Sequence, residues 1–405
     1  MTDLLPRTDQ PRIAFARTSL APEAAEAVAA VLASGWLTTG PQVQEFETEM
    51  GAYLGAEDAI AVSSCTAAIE LALRALRLPP GSKVLASTIT FCGAVNAILH
   101  AGLVPVLVDV NPFTLMPDAE TTAKAVARAG GVDAMTIVHF AGYPAPVHAM
   151  AEAAGLPLNR VIEDAAHAFG AKLGDQPIGT VSGATCFSFY ATKNLPVGEG
   201  GMVTTADPDI AESVRRGRLH GMTKDAWGRY LPGANWRYTV ETPGLKANMT
   251  DIQAAIGRAQ LPKFDQWQAR RRDLVARYDA ALSGMEGLQL PARPTQDEGT
   301  HAWHLYVLRV GEGFSVTRDI FMQQLAAMGV DCSVHFIPLH TMPHMRDALG
   351  EGADPALFPE AERALEEIVS LPLYPGLSDD DVDRVCAAVA EVATPGFANN
   401  QGGTR

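Results

Sequence analysis

One lysine in this sequence stands apart from other charges. It lies in Ser188-Phe189-Tyr190-Ala191-Thr192-Lys193-Asn194-Leu195, after an apolar run and ahead of Gly198-Glu199-Gly200-Gly201. A loop lysine is ordinarily a solvated surface charge. Aromatic and apolar neighbours desolvate this amine instead, lower its pKa and favour the neutral nucleophile that forms an imine. Asp164 stands 29 residues earlier, in Glu163-Asp164-Ala165-Ala166-His167, at the end of a strongly apolar run. It could cap a helix, or hold the proton of a pyridinium nitrogen and so make an electron sink of the ring. Ser63-Ser64-Cys65-Thr66 opens a helical pattern after a third apolar run. Its hydroxyls could cap that helix, or its free amides could cradle a phosphate.

Placing these groups requires strands that end near one another. Apolar, β-rich runs recur at 59–64, 83–88, 104–110, 133–139, 160–165, 184–189 and 200–206. The first five are separated by stretches long enough for crossover helices, such as 66–78 and 145–154. The pattern predicts an α/β fold with a seven-stranded, mostly parallel sheet between helices, which seats ligands at the carboxyl ends of its strands. From about Asp251 a long helical pattern, QLPKFDQWQARRRDLVARYDAAL, gives way to HAWHLYVLRV and SVHFIPLH, read as strands of a second sheet. The predicted division is a large domain with an N-terminal arm over 1–255, a smaller α+β domain over 256–395, and a frayed tail over 396–405.

A chain of 405 residues suits two domains, and 47% hydrophobic with 19% charged residues suits a soluble protein. No apolar run approaches a membrane span and the N-terminus lacks a signal-peptide pattern. A net charge of −15 argues against nucleic-acid binding. Cysteines at 65, 92, 186, 332 and 386 match neither a zinc site nor a CxxC pair, so no metal is expected and a reducing cytoplasm fits. Arg215, Arg216, Arg218, His220 and Arg229 form a basic stretch, either a solvated helix face or a pyrophosphate contact.

Taken in order, GWLTTGPQVQEFE (35–47), SSCTAAIELAL (63–73), ITFCGAVNAI (89–98), VIEDAAHAFGA (161–171), FSFYATKNLPVGEGG (187–201), RLHGM (218–222), KANMTDIQAAIG (246–257) and SVHFIPLH (333–340) resemble the DegT/DnrJ/EryC1/StrS family. These are sugar aminotransferases of fold type I that depend on pyridoxal 5′-phosphate (PLP). The resemblance covers nearly the whole chain and implies that Lys193 carries the cofactor as a Schiff base while Asp164 partners its pyridine nitrogen. It places His167 near the phenolic oxygen, where the family usually has Gln, and Phe91 against the ring. Cys65, Thr66 and Ser188 fall at phosphate-binding positions, with Cys65 replacing the commoner glycine. Asn248 matches a residue contributed by a second subunit, which implies a homodimer with shared active sites; on its own residues it could equally cap the next helix.

The implied reaction is ping-pong transfer of an amino group from an amino acid, usually L-glutamate, to a keto-sugar nucleotide. Lys193 would act as both anchor and proton carrier. Trp36 and Thr39 in the loop 35–40, with His335 and His340, correspond to residues of the substrate cleft; the histidines could equally be packing residues. Keto-cyclitol amination and sugar dehydration are the alternatives within the family, and Lys193 argues against the dehydratase branch, where histidine replaces it. A non-enzymatic regulator has no need of an imine-forming amine.

Overall fold

The computed structural model describes residues 11–223 and 237–394. Seven strands form the central sheet: β1 (Asp58–Val62), β2 (Lys83–Ser87), β3 (Val104–Val108), β4 (Ala134–Val138), β5 (Val161–Asp164), β8 (Ala184–Ser188) and β9 (Gly201–Thr205). Two-residue strands β6 (Lys172–Leu173) and β7 (Gln176–Pro177) form a hairpin between β5 and β8. The sheet order is β1-β9-β8-β5-β4-β2-β3. Strands β8, β5, β4, β2 and β3 pair parallel, and β9 runs antiparallel to both its neighbours. Continuous apolar runs such as Ala134-Met135-Thr136-Ile137-Val138 are buried along their whole length, as strands covered on both faces require.

Because the strands are parallel, their carboxyl ends share one edge of the sheet. Asp164 ends β5 and Ser188 ends β8, while β1 leads directly into Ser63–Thr66. Helix Cys65–Ala75 begins there, with the Ser64 side chain accepting a hydrogen bond from the Ala67 amide. Phe91 immediately precedes helix Cys92–His100, at the same end of β2.

A second sheet of three antiparallel strands, β10 (Leu288–Gln289), β12 (Tyr306–Val310) and β13 (Ile368–Leu371), packs with helices Phe264–Leu282, Arg318–Ala327 and Asp379–Ala393 around a separate apolar cluster. Strand β11 (Gly299–Thr300) instead pairs with β6. The long helical stretch QLPKFDQWQARRRDLVARYDAAL is one helix from Phe264 to Leu282, entered from helix Asp251–Gln260 through a short turn that contains Pro262, a residue with no amide to donate. Two expectations need correction. HAWHLYVLRV is a strand only from Tyr306: Trp303 has φ +47°, and the amides of Ala302, His304 and Leu305 donate to the Gly142 and Ala141 carbonyls. SVHFIPLH is not a strand; it makes one bridge, Ser333 to Ser370, and ends in a 3-10 turn at Leu339–Thr341. Residues 368–371 supply the remaining strand. Arg229 and the tail 396–405 lie outside the described residues.

Candidate active site

After β8 the chain makes a short excursion and returns to β9, closed by Phe189 N–H to Gly200 O (2.9 Å) and Val197 N–H to Phe189 O (2.8 Å). Buried Phe189, Leu195 and Val197 anchor this loop, which holds Lys193 over the carboxyl edge of the sheet. The Lys193 amine makes no hydrogen bond to a described residue and lines a cleft of about 480 Å³. Desolvation draws its pKa down to about 8, against the opposing pull of Asp164 and Cys65. A substantial fraction of the amine is therefore neutral near physiological pH.

Asp164 is 5% exposed and also lines the cleft. Its Oδ1 accepts from the Ala166 amide (3.1 Å) and lies 3.7 Å from the Cys65 thiol, while its other oxygen has no donor among the described residues. Burial pushes its pKa up, opposed by the Ala166 amide and by Lys193. Neighbouring residues of a strand face opposite sides, so Glu163 points away from the cleft. There it is bound by His139 Nε2 (2.8 Å), Ser182 Oγ (2.7 Å) and Thr185 Oγ1 (2.9 Å). Of the acidic pair, Asp164 alone has free capacity in the cleft.

Both readings of Ser63–Thr66 apply to different groups. Ser64 caps the helix, whereas the Cys65 and Thr66 amides, in its first turn, have no partner among the described residues. The Ser188 hydroxyl accepts from the Tyr190 amide (3.3 Å) and keeps its own proton to donate. Gly201 lets β9 approach this turn closely, since a Cβ there would lie 2.4 Å from the Ser64 carbonyl carbon. Two helix amides, a hydroxyl, an unpaired amine and a half-satisfied carboxylate therefore converge on one cleft, a donor set that fits PLP: phosphate, aldehyde and ring nitrogen respectively.

Phe91, 59% exposed, stands in the cleft wall with its ring 6.1 Å from that of Phe336. His167, His304 and His335 complete the wall. Burial, reinforced by Lys193, holds all three imidazoles below their ordinary pKa, His335 at about 4. Sequence reasoning passed over His304, Tyr190, Thr192 and Glu199, which also line the cleft. Two histidines three apart in HAWH were the available signal for His304, hidden by the strand expectation.

The structure places the other expected residues elsewhere. His340 is fully buried between Thr88 Oγ1 (2.7 Å) and Glu362 Oε1 (2.6 Å) and stacked on Phe358, a packing position outside the cleft wall. Trp36, Thr39 and Asn248 form one unit that does not line this chain's own cleft. Asn248 Nδ2 donates to Thr39 Oγ1 (2.7 Å) and Trp36 Nε1 to Thr39 O (3.0 Å). The following helix is capped by Thr250, so Asn248 does not serve as its cap. Arg215 pairs with Asp58, Arg216 with Glu212 and Glu241, and Arg218 with Glu47, so these guanidinium groups serve ion pairs. Among the described residues no acidic, histidine and cysteine cluster could hold a metal, and no helix is long and apolar enough to cross a membrane.

The model of the DegT/DnrJ/EryC1/StrS aminotransferase family matches residues 18–390. The spore coat polysaccharide biosynthesis protein SpsC of Bacillus subtilis is 44% identical over 373 residues, 91% of this chain and 94% of that protein. Among solved structures, the sugar aminotransferase Spr1654 of Streptococcus pneumoniae matches in its PMP (pyridoxamine phosphate) form with a TM-score of 0.85, 30% identity, and coverage of 94% of this chain and 99% of that one. Its PLP form gives 0.84, 29%, 95% and 100%. The sugar aminotransferase CalS13 of Micromonospora echinospora gives 0.81, 30%, 93% and 99%.

Proposed function

From the premise that the chain belongs to the DegT/DnrJ/EryC1/StrS aminotransferase family and is a PLP-dependent aminotransferase, we propose that it transfers an amino group from L-glutamate to a keto-sugar nucleotide. The carrying observation is Lys193, an unpaired amine with a pKa near 8, in a cleft whose other polar groups match the cofactor's substituents. When bound, PLP supplies a protonated ring able to take up the electron pair released when a proton leaves the carbon beside the amine. Lys193 Nζ would anchor the cofactor at rest and, when free, would carry the proton from that carbon to the cofactor carbon that bore the aldehyde, serving as base and then as acid. Asp164 keeps the ring nitrogen protonated through its unpartnered oxygen. The Cys65 and Thr66 amides and the Ser188 hydroxyl hold the phosphate, and Phe91 covers the ring.

For the acceptor, the name of the Bacillus subtilis relative supports a sugar. His335 is assigned to the sugar side. Trp36, Thr39 and Asn248 act as a unit on the cleft of a second subunit, with Asn248 reaching its phosphate, so the working species is a homodimer. Exposed Tyr190, Leu37 and Ile337 support such a contact. The molecule divides near residue 255 into a PLP-binding domain and a smaller one, and works in the cytoplasm, where its five unpaired cysteines stay reduced. Retention of Lys193 disfavours the dehydratase reading.

The test converts purified enzyme to its PMP form with L-glutamate, then offers a panel of keto-sugar nucleotides and keto-cyclitols. Return of the PLP absorbance with a keto-sugar nucleotide is the expected result. Return with keto-cyclitols alone would replace the acceptor, and no conversion by glutamate would remove the donor.

A further inference from the structure

The proposed phosphate site is incomplete in charge within one chain. A phosphate monoester is largely dianionic at neutral pH, its second pKa lying at about 6. The groups that one chain offers it, the Cys65 and Thr66 amides and the Ser188 hydroxyl, are neutral, helped only by the partial positive charge of a helix N-terminus. Among the described residues of the cleft, Lys193 is the one cation, and it is committed to the aldehyde. His167, His304 and His335 are held uncharged by burial. The hydroxyls of the wall are neutral, and its acids, Asp164 and Glu199, can add only negative charge. A doubly charged group drawn out of water calls for a cation that also donates hydrogen bonds. One accompanies Asn248. Lys246 is exposed, donates from Nζ to Asn248 Oδ1, and pairs with no acid among the described residues, whereas the guanidinium groups of Arg216 and Arg218 are held by carboxylates. The ammonium orients the amide: with Oδ1 taken, the Asn248 NH2 group faces Thr39 Oγ1 (2.7 Å) and has only a long contact, 3.5 Å, for its second N–H at Thr38 Oγ1. Backbone bridges from Asn248 to Val62 and from Lys246 to Leu219, with Ser63 N–H donating to Ala247 O (2.7 Å), fix the segment beside the central sheet. Alternate residues of an extended segment share a face, so Lys246 and Asn248 point one way and buried Ala247 the other.

We propose that Lys246 of one subunit is a cofactor-binding residue for the other, its ammonium donating to the PLP phosphate beside the Asn248 amide. An ammonium has three N–H donors, so the bond to Asn248 Oδ1 leaves two for phosphate oxygens. The phosphate site then gains its counter-charge only in the dimer. The inference rests on the reading that Trp36, Thr39 and Asn248 act on the cleft of a second subunit.

The test titrates apoprotein, prepared from the holoenzyme, with PLP and with pyridoxal, which lacks the phosphate. Lys246→Met keeps most of the side chain's length and removes its charge. It is expected to weaken PLP binding roughly tenfold or more, the scale of a charge-assisted hydrogen bond, and to leave pyridoxal within about twofold of wild type. Lys246→Arg should restore most of the PLP affinity. Raising the ionic strength should weaken PLP binding less in Lys246→Met than in wild type, a difference that loosening of Asn248 alone would not produce. Equal weakening of both ligands, no weakening of PLP, no recovery with Lys246→Arg, or an unchanged salt response would overturn the proposal. A dimer of one Lys193→Ala and one Lys246→Met subunit, isolated through different tags, shows which chain the lysine serves. The subunit that keeps Lys193 then receives Lys246 from the other and should develop the visible absorbance of lysine-bound PLP with wild-type affinity. Titration with the weak affinity of the Lys246→Met homodimer would place Lys246 in its own chain's site and overturn the proposal. Asn248→Asp separates the frame from the assignment. If it weakens PLP while Lys246→Met does not, the Lys246 assignment alone falls; if neither variant affects PLP, the shared phosphate site falls with it.

Discussion

At the scale of single residues, the proposed chemistry depends on a lysine kept partly neutral by its surroundings and a carboxylate with one oxygen in reserve. Lys193→Ala would remove the proposed anchor and proton carrier together but leave the proposed phosphate turn and Asp164 intact. We expect kcat to fall by at least about a thousandfold, with PLP still bound noncovalently and borohydride no longer fixing it to the chain; turnover within about tenfold of wild type would sink the assignment. The pH response follows from the direction of the shift. Desolvation lowers the Lys193 pKa from 10.5 to about 8, so the nucleophilic neutral amine grows as pH rises through about 8. Recombination of apoprotein with PLP should accelerate across that range and level off above it. A rate still climbing toward the ordinary lysine range would show that the amine is solvated. Lys193 was legible in the sequence because its desolvating neighbours are contiguous with it. His304 was not, since its orientation depends on a left-handed Trp303 and on partners 110 residues away at Asn194.

At the scale of elements, the site exists because strand ends and one helix start are packed at backbone distance. Gly201 is the point of closest approach: a Cβ there would lie 2.4 Å from the Ser64 carbonyl carbon and 2.7 Å from the Cys65 nitrogen, and neither backbone atom can swing aside. Gly201→Ala therefore forces β9 and the Ser63–Thr66 turn, the proposed phosphate site, apart. We expect PLP affinity to drop by about tenfold or more, with kcat at saturating PLP affected less, measured by PLP titration of apoprotein; unchanged affinity would mean that the turn does not hold the phosphate. The seven central strands were readable as apolar runs bounded by turn residues, because strands covered on both faces need nothing else. The second sheet was less readable. In HAWHLYVLRV and SVHFIPLH the apolar character serves the cleft wall and packing between elements, and backbone groups at 302–305 find partners at Ala141 and Gly142 in place of a neighbouring strand. Composition does not distinguish those two uses of the same residue types.

At the scale of the whole molecule, the proposed unit of function is a pair of chains. Within one chain, Asn248 is tied to Thr39 and to Lys246, and its helix-capping alternative is already filled by Thr250. Tyr190, in the cleft wall, and Leu37, beside Trp36, are 46% and 45% exposed, an apolar cost that a second subunit would offset. If Asn248 of one chain completes the phosphate site of the other, two inactive variants should complement. Lys193→Ala subunits retain a working Asn248, and Asn248→Asp subunits retain a working Lys193 while setting a carboxylate against the phosphate. After subunit exchange, a heterodimer would contain one site built from the intact Lys193 of one chain and the intact Asn248 of the other. Random mixing of equal amounts makes half the dimers mixed, each with one of its two sites intact, so activity should recover to roughly a quarter of wild type. The alternative, in which each site is completed within its own chain, gives a different outcome: every site in the mixture then carries one of the two lesions, and activity stays at the level of the parents. Mass-tagged subunits verify exchange independently, so an inactive mixture with confirmed heterodimers would refute the shared site and leave the Lys193 chemistry untouched.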